Sequence, residues 1–360
     1  MKDQRNKLMK INGREINRGA PTYFIADIAA NHDGDLSRAI DLIHKAAEAG
    51  ADAAKFQHFN AETIVSKERF DAMGQQLSHQ SKWRKSVYEV YKGASVPWEW
   101  TSDLKKACDD AGVDFMSTPY DLAAVEMLDG YVDAFKVGSG DITWLEILQA
   151  IAKKKKPVIL ASGASSIQDV KRGMGAIRQF NDDILLMQCN TNYTGSLENF
   201  KYIKLKVLNT YRSMYPSIPL GLSDHTPGHS VVLGAVTLGA CAVEKHFTDD
   251  QSREGPDHGF SLDPITWRAM VDATRELEYA LGLDGIKEVE ENEKESIIVQ
   301  RRSLVAARKI NANEVITRED IKVLRPAPSD GIFPYEINEV IGKTITISVE
   351  RGGHFKWNQF

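Results

Sequence analysis

The sequence predicts an α/β protein: a closed (β/α)8 barrel of the TIM type, followed by a small β-rich C-terminal domain. Three observations carry this. Eight short apolar runs alternate with longer helix-like stretches between residues 23 and 282, the order expected of parallel strands joined by crossover helices. The turn after the first run reads AANHDGD, not the glycine-rich turn that opens a doubly wound dinucleotide-binding sheet. After Gly282 the alternation stops, and Pro326, Pro328, Pro334, Gly352 and Gly353 break any long helix.

In chain order the runs are 23–28 (YFIADI), 53–58 (AAKFQH), 114–118 (DFMST), 134–138 (AFKVG), 157–161 (PVILA), 184–189 (ILLMQC), 219–223 (PLGLS) and 241–247 (CAVEKHF). The stretch 36–49 places Leu36, Ile40, Ile43 and Ala47 on one helical face, with Asp35 as N-cap and Gly50 as stop. Stretches 98–111 and 145–152 read the same way. Residues 286–296 (IKEVEENEKES) are acidic and read as a solvated linker. The expected division is a barrel over 1–283, a linker over 284–296 and a small domain over 297–360. A domain of that size is marginal alone and should lean on a larger body or a partner chain.

The 360 residues carry 45 Lys+Arg and 50 Asp+Glu, a formal charge of −5. This lacks the basic excess of a nucleic-acid binder or of a membrane-surface protein. Cys108, Cys189 and Cys241 have no paired spacing, so neither a disulfide framework nor a zinc ribbon is indicated. No apolar run reaches the length of a membrane span, and the first residues lack the apolar core of a signal peptide. A soluble, cytoplasmic protein is expected, with no nucleic-acid or membrane partner.

Barrel chemistry sits at the C-terminal ends of the strands, and there nearly every run ends in polar groups. They include Asp27 and Asn31, Lys55 and Gln57, Thr118, Lys136 with Ser139 and Asp141, Ser162, Asn190 and Tyr193, Ser223 with His225, and Glu244 with His246. A charge inside an apolar run is costly unless paired or used, and Lys55 and Lys136 are both of this kind. With Ser139, Ser162 and Ser223 they would hold a small carboxylate or phosphate. His225 and His246 end adjacent runs, so their rings would lie about one strand spacing (~4.8 Å) apart. That suits a divalent metal with open positions; a pair of core or capping histidines is the alternative. The segment 253–258 (REGPDH) could close over the site and bring Asp257 as an acid or base, or could simply be a turn.

Read together, FIADIAANHDGDLSRA, AGADAAKFQ, FKVGSGD, PVILASGAS, LGLSDHTPG and VEKHFTDDQSREGPDH stand in the order found in sialic acid synthases. The final segment SLVAARKINANEVITREDIKVLRPAP resembles that family's antifreeze-like (SAF) domain. The resemblance implies condensation of phosphoenolpyruvate with the open-chain aldehyde of an N-acylated mannosamine-type sugar, giving a nine-carbon 2-keto sugar acid and phosphate. It implies a divalent metal, manganese first with magnesium or cobalt as alternatives, and a domain-swapped homodimer. His225 and His246 match the metal ligands. Lys55, Lys136, Ser139 and Ser223 match phosphoenolpyruvate contacts; Gln57, Tyr193 and Asp257 match residues near the sugar or metal. Arg325 matches the arginine that the partner's small domain lends to the sugar.

The sequence departs from the family at Asp27, where a glutamate is usual, at Ser162-Gly163-Ala164 after the fifth run, and at Thr194, where proline commonly follows the tyrosine. Either Asn190 or Thr191 could meet the phosphate. Asp27, Asp141, Glu244 and Asp257 are candidates to move a proton or position water, with Asn31, Thr118 and Ser162 as further substrate contacts. These changes flank the sugar, so acceptors other than N-acetylmannosamine, including diacetamido sugars, stay open. The rival readings are another barrel synthase or a metal-dependent pyruvate aldolase acting on a different sugar or sugar phosphate, and a non-catalytic carbohydrate- or ice-binding module.

Overall fold

A computed structural model describes residues 9–76, 80–81, 83–282 and 285–360. The chain divides into two compact units, Met1–Leu283 and Asp284–Phe360.

The first unit opens with a hairpin, β1 (Met9–Ile11) and β2 (Arg14–Ile16). Asn12 and Gly13, both at positive φ, make its two-residue turn. Eight parallel strands then close into a barrel: β3 (Tyr23–Asp27), β4 (Ala53–His58), β5 (Asp114–Pro119), β6 (Phe135–Val137), β7 (Val158–Ala161), β8 (Ile184–Cys189), β9 (Leu220–Asp224) and β10 (Ala240–His246). They lie in chain order, and β10 pairs with β3 to complete the ring. All eight predicted runs are therefore strands. Covered on both faces, they read as continuous apolar stretches rather than alternating ones.

Helices form the outer layer. Leu36–Glu48 begins where the Asp35 side chain accepts from the N–H groups of Ser37 and Arg38, and it buries Ala39, Leu42, Ile43 and Ala46. The expected 98–111 helix is a 3-10 turn, Trp98–Trp100, running into Thr101–Ala111, which ends at left-handed Gly112. Leu145–Lys153 buries Ile147, Leu148 and Ile151. The hairpin was not foreseen. Met9, Ile11 and Ile16 pack with Tyr23, Ile25 and Met116 of the barrel interior. Arg14 pairs with Asp52, and Asn12 donates to Asp114 at 2.8 Å. Both acids sit at strand starts, so the hairpin plugs the end of the barrel opposite the strands' C-terminal ends.

The second unit has its own core, including Leu304, Ile310, Ile332, Ile345 and Phe355. Strand β11 (Ser303–Ala306) pairs antiparallel with β12 (Ile321–Leu324). The acidic stretch is exposed, as read from its charge, but it forms a turn at Glu291–Glu293 and then a helix, Lys294–Gln300, that runs past residue 296. No described helix is long and apolar enough to cross a membrane.

Candidate active site

Strand pleating sends alternate side chains to opposite faces, and most of the polar strand-end residues line one cavity of about 910 Å³ that opens to solvent. Its floor is ionic. Lys55 and Lys136 are each 2% exposed. The Lys55 ammonium lies 2.7 Å from Asp27 Oδ2 and 3.8 Å from Glu244 Oε2. Lys136 lies 3.3 Å from Glu244 Oε1, which also accepts from Ser223 Oγ at 2.9 Å. Gln57 donates to Asp27 at 3.0 Å, and Thr118 Oγ1 is 3.5 Å from the Lys55 ammonium.

Burial works against every one of these charges, so the pairing is obligatory. Burial pulls Lys55 down, but Asp27 and Glu244 outweigh it and raise its pKa. Burial pushes Glu244 up, yet Lys136 and Lys55 bring it down to about 2. Asp27 is raised by burial and by Glu244, against the pull of Lys55. Lys55 and Lys136 thus share one carboxylate at the cavity floor, and Glu244 Oε2 is buried with no hydrogen-bond partner.

The two histidines meet beside this floor, ring centroids 5.4 Å apart. His225 Nδ1 lies 3.1 Å from the Asn190 carbonyl. It therefore donates there and leaves Nε2 as a lone pair. Burial takes His225 down to about 4; burial, with Lys55, takes His246 down to about 3. Both are neutral at pH 7. His246 Nε2 is 3.5 Å from Asp27 Oδ2 and its Nδ1 4.0 Å from Asp257 Oδ2, and that Nδ1 is buried without a hydrogen-bond partner. Two neutral imidazoles next to carboxylates fit a divalent cation. Among the described residues no set of three or more His, Cys, Asp or Glu closes into a full ligand group, so the positions beyond the two imidazoles would fall to substrate and water. Tyr193 packs edge-on to His225 at 4.4 Å and Phe260 to His246 at 4.8 Å, fixing both rings.

The 253–258 segment is a turn and also lines the cavity, through Pro256 and Asp257. It is tied down by Asp33, which takes Arg253 at 2.8 Å and His258 Nε2 at 2.9 Å. Asp257 accepts from the Ala30 N–H at 3.2 Å. Burial, with Asp27 nearby, pushes Asp257 up to about 7, a value suited to holding a proton near neutrality.

Not every expected contact faces the cavity. Ser139 does, and it shares a 2.7 Å hydroxyl bond with Thr191. Asn31 is turned away, its amide donating to Phe247 O and Ser261 Oγ. Ser162 Oγ donates to the Met187 carbonyl and accepts from Tyr211. Asn190 serves through its backbone carbonyl to His225. Asp141 lies in the turn Ser139–Asp141 outside the lining, and burial takes it up to about 6. Arg325 belongs to the second unit, where its Nε donates to the Gln300 carbonyl at 2.6 Å.

The residues missed are mostly aromatic: Phe59, Trp83, Tyr91 and Tyr120, with Cys189. Tyr120 directly follows the third run, and that position was the available signal. Phe59, Trp83 and Tyr91 lie in the long β4–β5 connection, which also holds the short helices Ala61–Ile64, Lys67–Ala72 and Val87–Ala94.

A closed parallel barrel whose mouth joins two buried lysines to two neutral histidines belongs to the barrel enzymes that act on small anionic substrates at strand ends. The chain belongs to the NeuB family, the sialic acid synthases: the NeuB family model matches residues 42–286 and the SAF domain model residues 301–360. It is 34% identical to the N,N'-diacetyllegionaminic acid synthase of Legionella pneumophila over 97% of both chains. It is 31% identical to the human N-acetylneuraminate-9-phosphate synthase, over 94% of this chain and 92% of that one. The crystal structure of an N-acetylneuraminic acid synthetase from Leptospira borgpetersenii, in complex with citrate, superposes with a TM-score of 0.70 at 28% identity, covering 81% of this chain and 95% of that one.

Proposed function

We propose that the protein condenses phosphoenolpyruvate with the open-chain aldehyde of an N-acylated amino sugar, releasing phosphate and a nine-carbon 2-keto sugar acid. One observation carries this: in a NeuB-family barrel, the Lys55–Glu244–Lys136 floor and the neutral His225–His246 pair open onto a single cavity. Lys55 and Lys136, with the hydroxyls of Thr118, Ser139 and Ser223, bind the donor's carboxylate and phosphate. His225 and His246 would hold a divalent ion, manganese first with magnesium or cobalt as alternatives, which would stabilise charge on the aldehyde oxygen.

The enol C3 attacks the aldehyde carbon, and the aldehyde oxygen takes up a proton. Asp257, whose carboxyl holds its proton up to about pH 7, is placed to donate it. Water adds at C2 and loses a proton, and the tetrahedral centre collapses with loss of phosphate. Asp27, fixed by Lys55 and Gln57, orients that water or accepts its proton. Glu244 is the counter-ion between the two lysines. We place the reaction in the cytoplasm and in a domain-swapped homodimer, with Arg325 of one chain reaching the sugar of the other. The family resemblance and the small size of the second unit support this.

Phosphate release from phosphoenolpyruvate with manganese and a panel of amino sugars tests the reading. Sugar-dependent phosphate release supports it. Pyruvate-dependent carbon–carbon chemistry without phosphate release would instead make the protein an aldolase. Mixing Arg325→Ala with His246→Ala protomers tests the dimer: activity returns only if the arginine works in the partner's barrel.

A further inference from the structure

The turn after β3 reaches across to the loop that carries Asp257. Asn31 is buried, and its amide donates at 2.8 Å to the Phe247 carbonyl and at 2.9 Å to Ser261 Oγ. Its Oδ1 is buried with no hydrogen-bond partner, a costly arrangement that only those two donations offset. Ser261 Oγ in turn donates to the Asp257 carbonyl at 2.7 Å. The Ala30 N–H meets the Asp257 carboxylate itself at 3.2 Å.

Two residues further on, Asp33 is a hub. Its Oδ1 accepts from Nε2 of the buried His258 at 2.9 Å. Its Oδ2 accepts from Arg253 at 2.8 and 3.1 Å and lies 3.2 Å from Arg38 Nε. Arg38 also donates to the Asn31 carbonyl at 2.8 Å and forks onto Asp249 at 2.7 and 2.5 Å. The chain passes over this hub at Gly255, where a Cβ would stand 2.6 Å from His258 Cδ2 and 3.6 Å from Asp33 Oδ1.

We propose that Asn31 and Asp33 are positioning residues for Asp257: Asn31 through Ser261, and Asp33 through His258, set where the Asp257 carboxyl stands beside His246. This rests on the condensation proposed above and on the proton given there to Asp257.

The loop needs such anchors. It closes at its base, where Phe247 bridges Leu262, but its tip holds only a short 3-10 turn, His258–Phe260. Asp257 sits just before that turn, 4.0 Å from His246 Nδ1. A strand or helix would fix a side chain by its own ladder of backbone bonds; here the turn after β3 does it from outside. Its contacts grip residue 257 at the carboxylate and at the carbonyl, and grip the next residue at its ring. Asn31, Asp33, His258 and Ser261 are absent from the cavity lining, whereas Asp257 is part of it. Their effect on turnover must therefore pass through Asp257. A reacting group moved by about 1 Å loses about a hundredfold in rate.

The test pairs kinetics with amide hydrogen exchange on the full chain. Asp33→Ala and Ser261→Ala should each lower kcat about ten- to hundredfold and leave KM for phosphoenolpyruvate within about twofold. Asp33→Asn keeps the left-handed turn at φ 53° and one acceptor for His258, so its kcat should fall between Asp33→Ala and the parent. Single-turnover phosphate release by Asp257→Asn sets a reference, and adding Asp33→Ala to it should cost less than about threefold more. Exchange should quicken severalfold over residues 253–262 in Asp33→Ala and stay at the parent's rate over β7 and β8. The full loss repeated in the Asp257→Asn background, or exchange quickened evenly over the barrel, would overturn the inference and mark the turn as structural. Exchange unchanged over 253–262 would overturn it whatever reaction the enzyme runs. Full turnover by Asp257→Asn would remove the proton role and the inference with it, while sugar-dependent phosphate release left the condensation standing. No phosphate release by the parent with any amino sugar would bring down the condensation itself and the inference with it.

Discussion

Asp224 and Lys245 are register partners on adjacent strands β9 and β10, and their side chains form a 2.5 Å ion pair with each 1% exposed. Each directly precedes one of the two histidines in the chain. The Lys245 ammonium also donates to the Thr226 carbonyl, and Asp224 accepts from the Thr226 hydroxyl at 2.8 Å. Pleating turns this pair away from the cavity while His225 and His246 face it. The pair is therefore a clamp behind the two imidazoles.

The clamp predicts a coupled stability effect. Lys245→Met leaves a buried carboxylate without its counter-ion and should cost about 3–5 kcal/mol. Asp224→Asn combined with Lys245→Met removes the stranded charge and should recover part of that loss. Urea unfolding of the single and double variants measures the coupling. Additive losses would show that the two groups do not act as a unit.

Lys136 gives a prediction on donor binding. Its ammonium is paired with Glu244 at 3.3 Å within an apolar strand, and Lys136→Met should raise KM for phosphoenolpyruvate. Losing one charge-assisted contact costs about 1.5–3 kcal/mol, so the change should be roughly ten- to hundredfold or slightly more. Initial rates at varied donor concentration check this. Unchanged donor kinetics would make the lysine purely a partner for Glu244.

His58 gives a pH prediction independent of the reacting groups. Its ring is buried against the hydroxyls of Ser117, at 2.7 Å, and Thr101, at 3.0 Å. Burial takes its pKa from the ordinary 6.5 down to about 4. The unfolded chain binds this proton first as pH falls. Stability tied to His58 is therefore complete above pH 6.5 and is lost as pH drops through the interval down to 4. The loss is about 3 kcal/mol over that window. His58→Gln has no proton to bind and should show a shallower acid limb in unfolding free energy between pH 6.5 and 4. Parallel limbs for variant and parent would contradict this.

The barrel was legible because its strands are covered on both faces, so each is an uninterrupted apolar run, and because Lys55, Lys136 and Glu244 stand out as charges within such runs. His225 and His246 were legible from the order of the strands they end. The hairpin was not, because it adds only Met9, Ile11 and Ile16 to the core. Asn31 and Ser162 were read as substrate contacts because they follow strand ends. Partners remote in sequence, Phe247 and Ser261 for one, Met187 and Tyr211 for the other, take their polar groups elsewhere. Trp83 and Tyr91 escaped notice because they lie inside the long β4–β5 connection with no strand to index them, whereas Phe59 and Tyr120 directly follow β4 and β5 and could have been read there.

The histidine pair predicts a metal effect that binding can measure without turnover. His225→Ala or His246→Ala removes one of two neutral donors while Asp224 and Lys245 still pair behind them. Each variant should bind manganese at least tenfold more weakly by calorimetry or paramagnetic relaxation, lose turnover, and keep a cooperative unfolding transition. Full activity of both variants in rigorously chelated buffer would exclude the metal role.

Gly163 yields the sharpest packing prediction. A Cβ at this position would stand 1.9 Å from Thr191 Oγ1, 2.9 Å from Cys189 Sγ and 3.1 Å from Ser139 Cβ. Cys189 ends β8, Thr191 and Ser139 follow β8 and β6, and these last two share a 2.7 Å hydroxyl bond. Gly163→Ala must displace Thr191, break that bond and shift Ser139 on the cavity wall. Overpacking of this kind typically costs about 1–3 kcal/mol, so the melting temperature should fall. If Ser139 binds the donor as proposed, KM for phosphoenolpyruvate should rise with it, because Ser139 lines the cavity. Adding Thr191→Ala to Gly163→Ala removes the clashing oxygen and should restore stability more than donor affinity, since the hydroxyl that orients Ser139 is gone. If the double variant recovered both equally, Thr191 would matter only as bulk. If Gly163→Ala altered neither, the loop ends would have room that these distances deny.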